Sequence, residues 1–140
     1  MSTPEKVVST MYQNDAFSQW LGINVIEVKD GYCELKLNIR DEMLNGFQIA
    51  HGGIAYSLAD SALAFASNSR GRKSLSLETS ISHTVSVKAG DELTAMTEEL
   101  SLSDKIGVYL ITITNQDNQE IAYFKGTVYR TSKDWFPEGQ

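Results

Sequence analysis

Residues 45–60 read NGFQIAHGGIAYSLAD, and the rest of the chain is organised around them. Between Glu42 and Arg70 the only formally charged side chain is Asp60, set in a run of small and apolar residues. His51, Gly52 and Gly53 stand where a helix begins, and the run that follows is apolar on nearly every face. Such a helix has to be enclosed by other elements. A carboxylate in its interior is poorly placed for helix formation and costly to bury unpaired, so Asp60 calls for an explanation beyond packing.

At 140 residues the chain fits one domain, read here as 1–140, with a real hydrophobic core. Its 41% apolar content suits a globular protein, and the net charge of -6 argues against nucleic acid or an anionic membrane as the main partner. Cys33 is the only cysteine, which excludes an internal disulfide framework and a paired-cysteine metal site. His51 and His83 have no evident cluster of partner ligands, so no metal is implied. The start, MSTPEKVVST, lacks the features of a signal peptide, and no apolar run reaches the roughly 18 to 20 residues of a membrane span. Cytoplasmic residence is the expectation.

Thr3-Pro4-Glu5 predicts a helix start with Thr3 as cap, running to about Tyr12. Asp15 caps a second short helix carrying Phe17, Trp20 and Leu21, which Gly22 ends; the aromatic residues read as core or dimer-packing groups. From Ile23 the period becomes two. Ile23, Val25 and Val28 form one strand, Asp30-Gly31 a hairpin, and Leu35, Leu37 and Ile39 the apolar side of the next. Cys33 falls in phase with that set and reads as a small core residue. Asn68 to Gly71 stops the long helix. A long strand follows, with Leu75, Leu77, Ile81, Val85 and Val87 on its apolar side and Ser76, Glu78, Ser80 and Ser82 opposite. His83 lies on the apolar side, where a histidine is ordinarily a core or interface residue. Three more strands (92–102, 106–114 and 120–130) are joined by short polar turns, and Trp135-Phe136 lie in the tail. The expected fold is α+β, an antiparallel sheet around one long helix, with a partner covering what six strands leave open.

Gly53 would lie in the first turn of that helix, where free N–H groups and the helix dipole favour negative charge. Its N–H is placed to polarise a carbonyl, and Asp60, with a pKa expected to be raised by apolar surroundings, supplies a base or nucleophile. Seven residues separate the two, so they share nearly one face but lie about 10 Å apart along the axis. One reacting carbon does not reach both. A second helix running antiparallel across a two-fold axis solves this, with Gly53 of one subunit facing Asp60 of the other.

The chain resembles the hotdog-fold acyl-CoA thioesterases, of the phenylacetate-pathway type known as PaaI. The resemblance lies in Asn45-Gly46, His51-Gly52-Gly53, Ser57-Leu58-Ala59-Asp60, Ser67-Asn68-Ser69, Gly90-Asp91, Gly126-Thr127 and the upstream DAFSQWLGI of residues 15–23. It implies a hotdog fold in which the sheet wraps the helix, with homodimers that pair their sheets edge to edge and assemble into homotetramers. It implies Asp60 as catalytic carboxylate and the Gly53 N–H as the group that polarises the thioester, with Asn45 and His51 orienting thioester or water. Ser76 and Gly52 are the implied substrate contacts, and Lys105, in a turn, is a candidate contact for CoA phosphates against the plainer reading of solvated charge. Ser76 matches a position for a water-orienting hydroxyl, although its alternation phase sets it opposite the apolar side. Where the family commonly reads an aromatic and then Leu-Arg-Pro, this chain has His83-Thr84-Val85-Ser86. Arg70, Arg72 and Lys73 are further candidates for CoA phosphates, against the plainer reading of solvated charge.

The function implied is hydrolysis of an acyl-CoA, with an aromatic acyl group such as phenylacetyl or hydroxyphenylacetyl. No cofactor is implied, since CoA is part of the substrate. A non-catalytic acyl-CoA binding or sensing module on the same fold is the second reading. A hydratase is disfavoured by the Asn, His-Gly-Gly and Asp pattern.

Overall fold

The computed structural model describes residues 1–137. Helix α1 (Thr3–Gln13) is capped by Ser2 rather than Thr3: the Ser2 hydroxyl accepts from the Glu5 N–H while the Glu5 side chain reaches back to the Ser2 backbone. That reciprocal pair satisfies two donors at once, which a cap at Thr3 would forgo. Asp15 caps α2 (Ala16–Leu21) as expected, and Gly22 ends it at φ 79°, a conformation glycine adopts without strain. Leu21 is fully buried. Phe17 and Trp20 are not core residues; they remain 54% and 49% exposed and stack on each other.

Strands β1 (Asn24–Lys29) and β2 (Tyr32–Asn38) form a hairpin at Asp30-Gly31, with Gly31 at φ 72°. A bulge between Val25 and Glu27 breaks the alternation of β1 and leaves Val25 partly exposed. Cys33, Leu35, Leu37 and Ile39 all point into the core. A 3₁₀ turn (Asp41–Met43) and a loop lead into α3 (Gly52–Asn68), followed by β3 (Arg72–His83), β4 (Glu92–Leu102), β5 (Ile106–Thr114) and β6 (Glu120–Asp134). The six antiparallel strands lie in the order β1-β2-β4-β5-β6-β3, so the helix connection carries the chain from one side of the sheet to the far edge. α3 packs against β2 to β6, and α1 and α2 lie beside it. This is the hotdog arrangement.

The end of α3 is tied down by its own Ser67-Asn68-Ser69 segment. Ser69 Oγ accepts from the Gly31 N–H at the hairpin and donates to carbonyls of Lys29 and Ala66. The Asn68 amide oxygen accepts from the Ser74 N–H and from Trp135 Nε1, which folds the tail back over the helix end. The helix terminus, the hairpin and the start of β3 are thereby fixed together.

The phase of β3 differs from the expected one. Leu75 and Leu77 are 64% and 61% exposed, while Ser74 is buried. In the pairing with β6, Ser76 stands opposite buried Val128, but after a bulge between Ser76 and Glu78 it is Ile81 and His83 that stand opposite buried Phe124 and Ala122. The extra residue, Leu77, flips the strand's faces. Even-numbered residues face the helix before the bulge and odd-numbered ones after it. No regular alternation reads both halves correctly.

β6 approaches α3 closely at Gly126, where an added Cβ would lie 2.5 Å from a methyl of buried Leu63. Gly126→Ala is expected to destabilise the fold by about 1–3 kcal/mol through overpacking, measured as a lowered urea midpoint with an unchanged slope.

Candidate active site

The loop before α3 is held by its backbone. Leu44 and Ala50 form an isolated bridge, the Ala50 N–H donates to Val87 O and the His51 N–H donates to Met43 O. The Asn45 side-chain oxygen accepts from the Phe47 N–H at 2.9 Å and the Ile49 N–H at 3.4 Å, which leaves its amide N–H groups directed elsewhere. Anchored in this way, His51 is the N-cap of α3, and its Nδ1 accepts from the Gly53 N–H at 3.1 Å. The Gly53 donor is thus occupied by the chain's own imidazole, and a carbonyl that takes this N–H has to displace His51 Nδ1. A Cβ on Gly53 would lie 3.3 Å from that nitrogen, and one on Gly52 would lie 3.4 Å from His83 Nε2. The two glycines let two imidazoles close on the helix start.

A cleft of about 350 Å³ opens there, lined by Asn45, His51, Gly52 and His83 above apolar Ala55 and Val87. Asn45, His51 and Gly52 are therefore brought together. His83 belongs with them, at the end of β3, rather than in the core. Its place on the helix-facing side was legible from alternation; that this side opens into a cleft there was not.

Asp60 lies two turns further along α3, on the strip of the helix that strands and helices leave open. On one side it shares a cleft with Ser76, Met11 and Leu75; on the other with Asp15, Phe17 and Tyr56. The β3 bulge is what turns Ser76 toward Asp60, reversing the orientation its alternation implied. Partial removal from water, reinforced by the nearby Asp15 carboxylate, raises the Asp60 pKa above the ordinary aspartate range. Asp15 is immobilised by its cap: its oxygens accept from the Ser18 N–H and hydroxyl, and that hydroxyl also bonds to buried Ser61 Oγ at 2.7 Å. This chain of contacts joins α2 to α3 one residue from Asp60.

Cys33 is fully buried with its thiol directed at Ala62 O, and burial pushes its pKa up, so it has no thiolate character. Lys105 sits in the β4–β5 turn and lines neither the Asn45 cleft nor the Asp60 clefts. Arg70 makes a two-pronged pair with Glu99, Arg72 pairs with Asp104, and Lys73 lies over the Trp135 ring. Those three cations are already engaged by the chain itself. Among the described residues no group of three or more His, Cys, Asp or Glu side chains is placed to hold a metal ion, and no helix is long and apolar enough to cross a membrane.

A family model described as the thioesterase superfamily matches residues 47–122, more than half of the chain, from just before α3 through β5 into the start of β6. The chain belongs to the thioesterase superfamily. This thioesterase is 38% identical over 120 residues to the acyl-coenzyme A thioesterase PaaI of Escherichia coli, covering 86% of each chain. The solved structure of the E. coli PaaI protein, from the phenylacetic acid degradation operon, superposes with a TM-score of 0.92 at 35% identity, over 94% of this chain and 96% of that one. A Streptococcus mutans protein solved with acetyl-CoA bound superposes with a TM-score of 0.77 at 28% identity, covering 80% and 90%. The fold and the thioester-hydrolase class of this enzyme rest on these likenesses together.

The Asp60 carboxyl of the thioesterase should titrate above the ordinary aspartate value of 3.8. Asp15→Asn removes a charge but keeps a competent cap, so the midpoint should fall toward that value. Carbon-detected NMR of the side-chain carboxyl across pH 2 to 8 reads it, and an unmoved midpoint in the variant would exclude Asp15 as a cause.

Proposed function

We propose that this thioesterase hydrolyses an acyl-CoA with an aromatic acyl group of the phenylacetyl or hydroxyphenylacetyl type. Water adds to the thioester carbonyl carbon, the C–S bond breaks, and the thiolate of CoA takes up a proton. Asp60 acts as base on that water; as nucleophile instead, its carboxylate adds to the thioester carbon first and expels the thiolate, leaving a mixed anhydride that water then hydrolyses. The Gly53 N–H, released from His51 Nδ1, donates to the carbonyl oxygen and stabilises the charge that develops there. Asn45 directs its free amide N–H groups at the substrate, His51 and Gly52 flank the carbonyl, and Ser76 holds the water. Lys105 remains available to a CoA phosphate at the rim. CoA serves as part of the substrate, with no cofactor in the reaction.

One observation carries the reading. Asp60 and Gly53 sit on one helix with about 10 Å of axis between them, and Gly53 lines neither of the clefts that Asp60 borders. Each is half of a site. A second chain, paired along the free edge of β3, supplies the other half, and the exposed Leu75 and Leu77 on that edge support a homodimer as the working unit. Dimers pairing into a homotetramer and a cytoplasmic location complete the proposal.

Asp60→Asn and Asp60→Ala should lower kcat for phenylacetyl-CoA by about 10² to 10⁴-fold in a thiol-release assay, with the assembly size unchanged by light scattering. Turnover near wild type in both would end the assignment. The composite site has its own test. Gly53→Pro deletes that N–H in the first turn, where it makes no intrahelical hydrogen bond. Co-refolding it with Asp60→Asn should restore about a quarter of wild-type activity from two inactive parents, since half the dimers are mixed and each carries one intact site. No recovery would place both groups of a site on one chain.

A further inference from the structure

Phe17 and Trp20 are large aromatic residues left in solvent, on a six-residue helix that is held with unusual firmness. Asp15 and Gly22 cap it at both ends, and the Ser18–Ser61 hydrogen bond pins it to α3. The Arg40 guanidinium donates to the carbonyls of Trp20 and Leu21, both at 2.9 Å, and lies 5.0 Å over the Trp20 ring. The two rings stack at 6.1 Å with their planes 10° apart. Leu21 is the hydrophobic side chain by which α2 reaches the core, and the aromatic pair is left pointing outward.

Phe17 also lines the cleft that contains Asp60. That cleft measures about 170 Å³, and its walls other than Phe17 and Tyr56 are short side chains: Ser57, Ser61 and Ala64 among them. A buried cavity of roughly 150 Å³ is enough to take up benzene. Flat rings are bound best by other rings in offset-stacked or edge-on contact. Two carboxylates, Asp15 and Asp60, border the same space, which disfavours an acyl group ending in a negative charge.

We propose that Phe17, backed by Trp20, is the shelf on which the acyl group of the thioester lies, selecting flat and uncharged aryl groups over short or dicarboxylic ones. The proposal rests on Asp60 as the reacting carboxylate. Phe17 is a specificity residue and takes no part in proton transfer. Trp20 holds the Phe17 ring in orientation, and Arg40 holds Trp20.

The test compares kcat/KM for phenylacetyl-, acetyl- and succinyl-CoA in the full chain. Wild type should prefer phenylacetyl-CoA to both others. Phe17→Ala should lower the phenylacetyl-to-acetyl ratio at least tenfold, chiefly through KM, and Phe17→Leu, apolar but not flat, should lower it in the same direction while keeping the bulk of the helix. Phe17→Tyr should keep the ratio. Because Phe17 is half in water, thermal melting should move by no more than a few degrees. A ratio within twofold of wild type in both Phe17→Ala and Phe17→Leu overturns the proposal, as does a wild-type enzyme that prefers succinyl-CoA. Turnover surviving in Asp60→Asn would remove the reading on which the proposal rests, and it is seen separately from any ratio.

Discussion

A helix that is apolar nearly all round has no stable place on a protein surface, and the burial of α3 is the constraint from which the rest of this structure follows. Leu58, Ala59, Ala62, Phe65 and Ala66 are fully buried and Leu63 nearly so. To cover them the sheet has to wrap across several faces of one helix, which brings β6 in at Gly126, where an added methyl would press on Leu63. What six strands and two short helices leave open is a single strip, and Asp60 lies on it. The carboxylate is tolerated because it occupies the one direction the fold does not close. It is still crowded enough, by apolar neighbours and by Asp15, to hold its proton more tightly than a free aspartate.

The same constraint separates the groups proposed to react. The N-terminus of α3 emerges at one end of the wrapped helix, where His51 closes on Gly53 and His83 closes on Gly52. Asp60 emerges two turns away, where β3 and α2 flank it. Straight helices do not bend a pair of groups at that spacing onto one carbon atom. The free edge of β3, with two leucines pointing into water, is a surface that a second chain would relieve of both its unpaired backbone and its exposed apolar area. The proposed dimer would answer both needs, enclosing the helix and completing the chemistry, with one arrangement.

His51 sits at the meeting point of structure and chemistry. As N-cap it satisfies a backbone donor that would otherwise have only water. In doing so it occupies the Gly53 donor, which in the proposed mechanism a thioester oxygen would take only after the imidazole gives way. Under that proposal, helix capping and substrate binding would compete for one N–H.

Much of this was written in local sequence. The change of period at Ile23, the Asp30-Gly31 hairpin, the Asp15 and Gly22 caps and the charge-free run around Asp60 are signals that neighbouring residues carry among themselves, through sterics and hydrogen bonds that span a few positions. They were enough to arrive at an antiparallel sheet around one helix, and at Gly53 and Asp60 as the residues of interest; the roles of Asn45 and His51 came from the family resemblance. The face of β3 was not legible. One extra residue at Leu77 reverses it, and a bulge depends on how β6 is registered alongside, some fifty residues away in the chain. That reversal turns Ser76 toward Asp60 and Leu75 toward solvent. The exposure of Phe17 and Trp20 was likewise undecided by sequence, because an aromatic residue on a short helix looks the same whether it faces a core or a cleft. Period and caps are properties of the chain's own geometry, so the sequence alone determined the elements; which side of each element meets the helix depends on pairing between distant strands, and only the tertiary structure decided it.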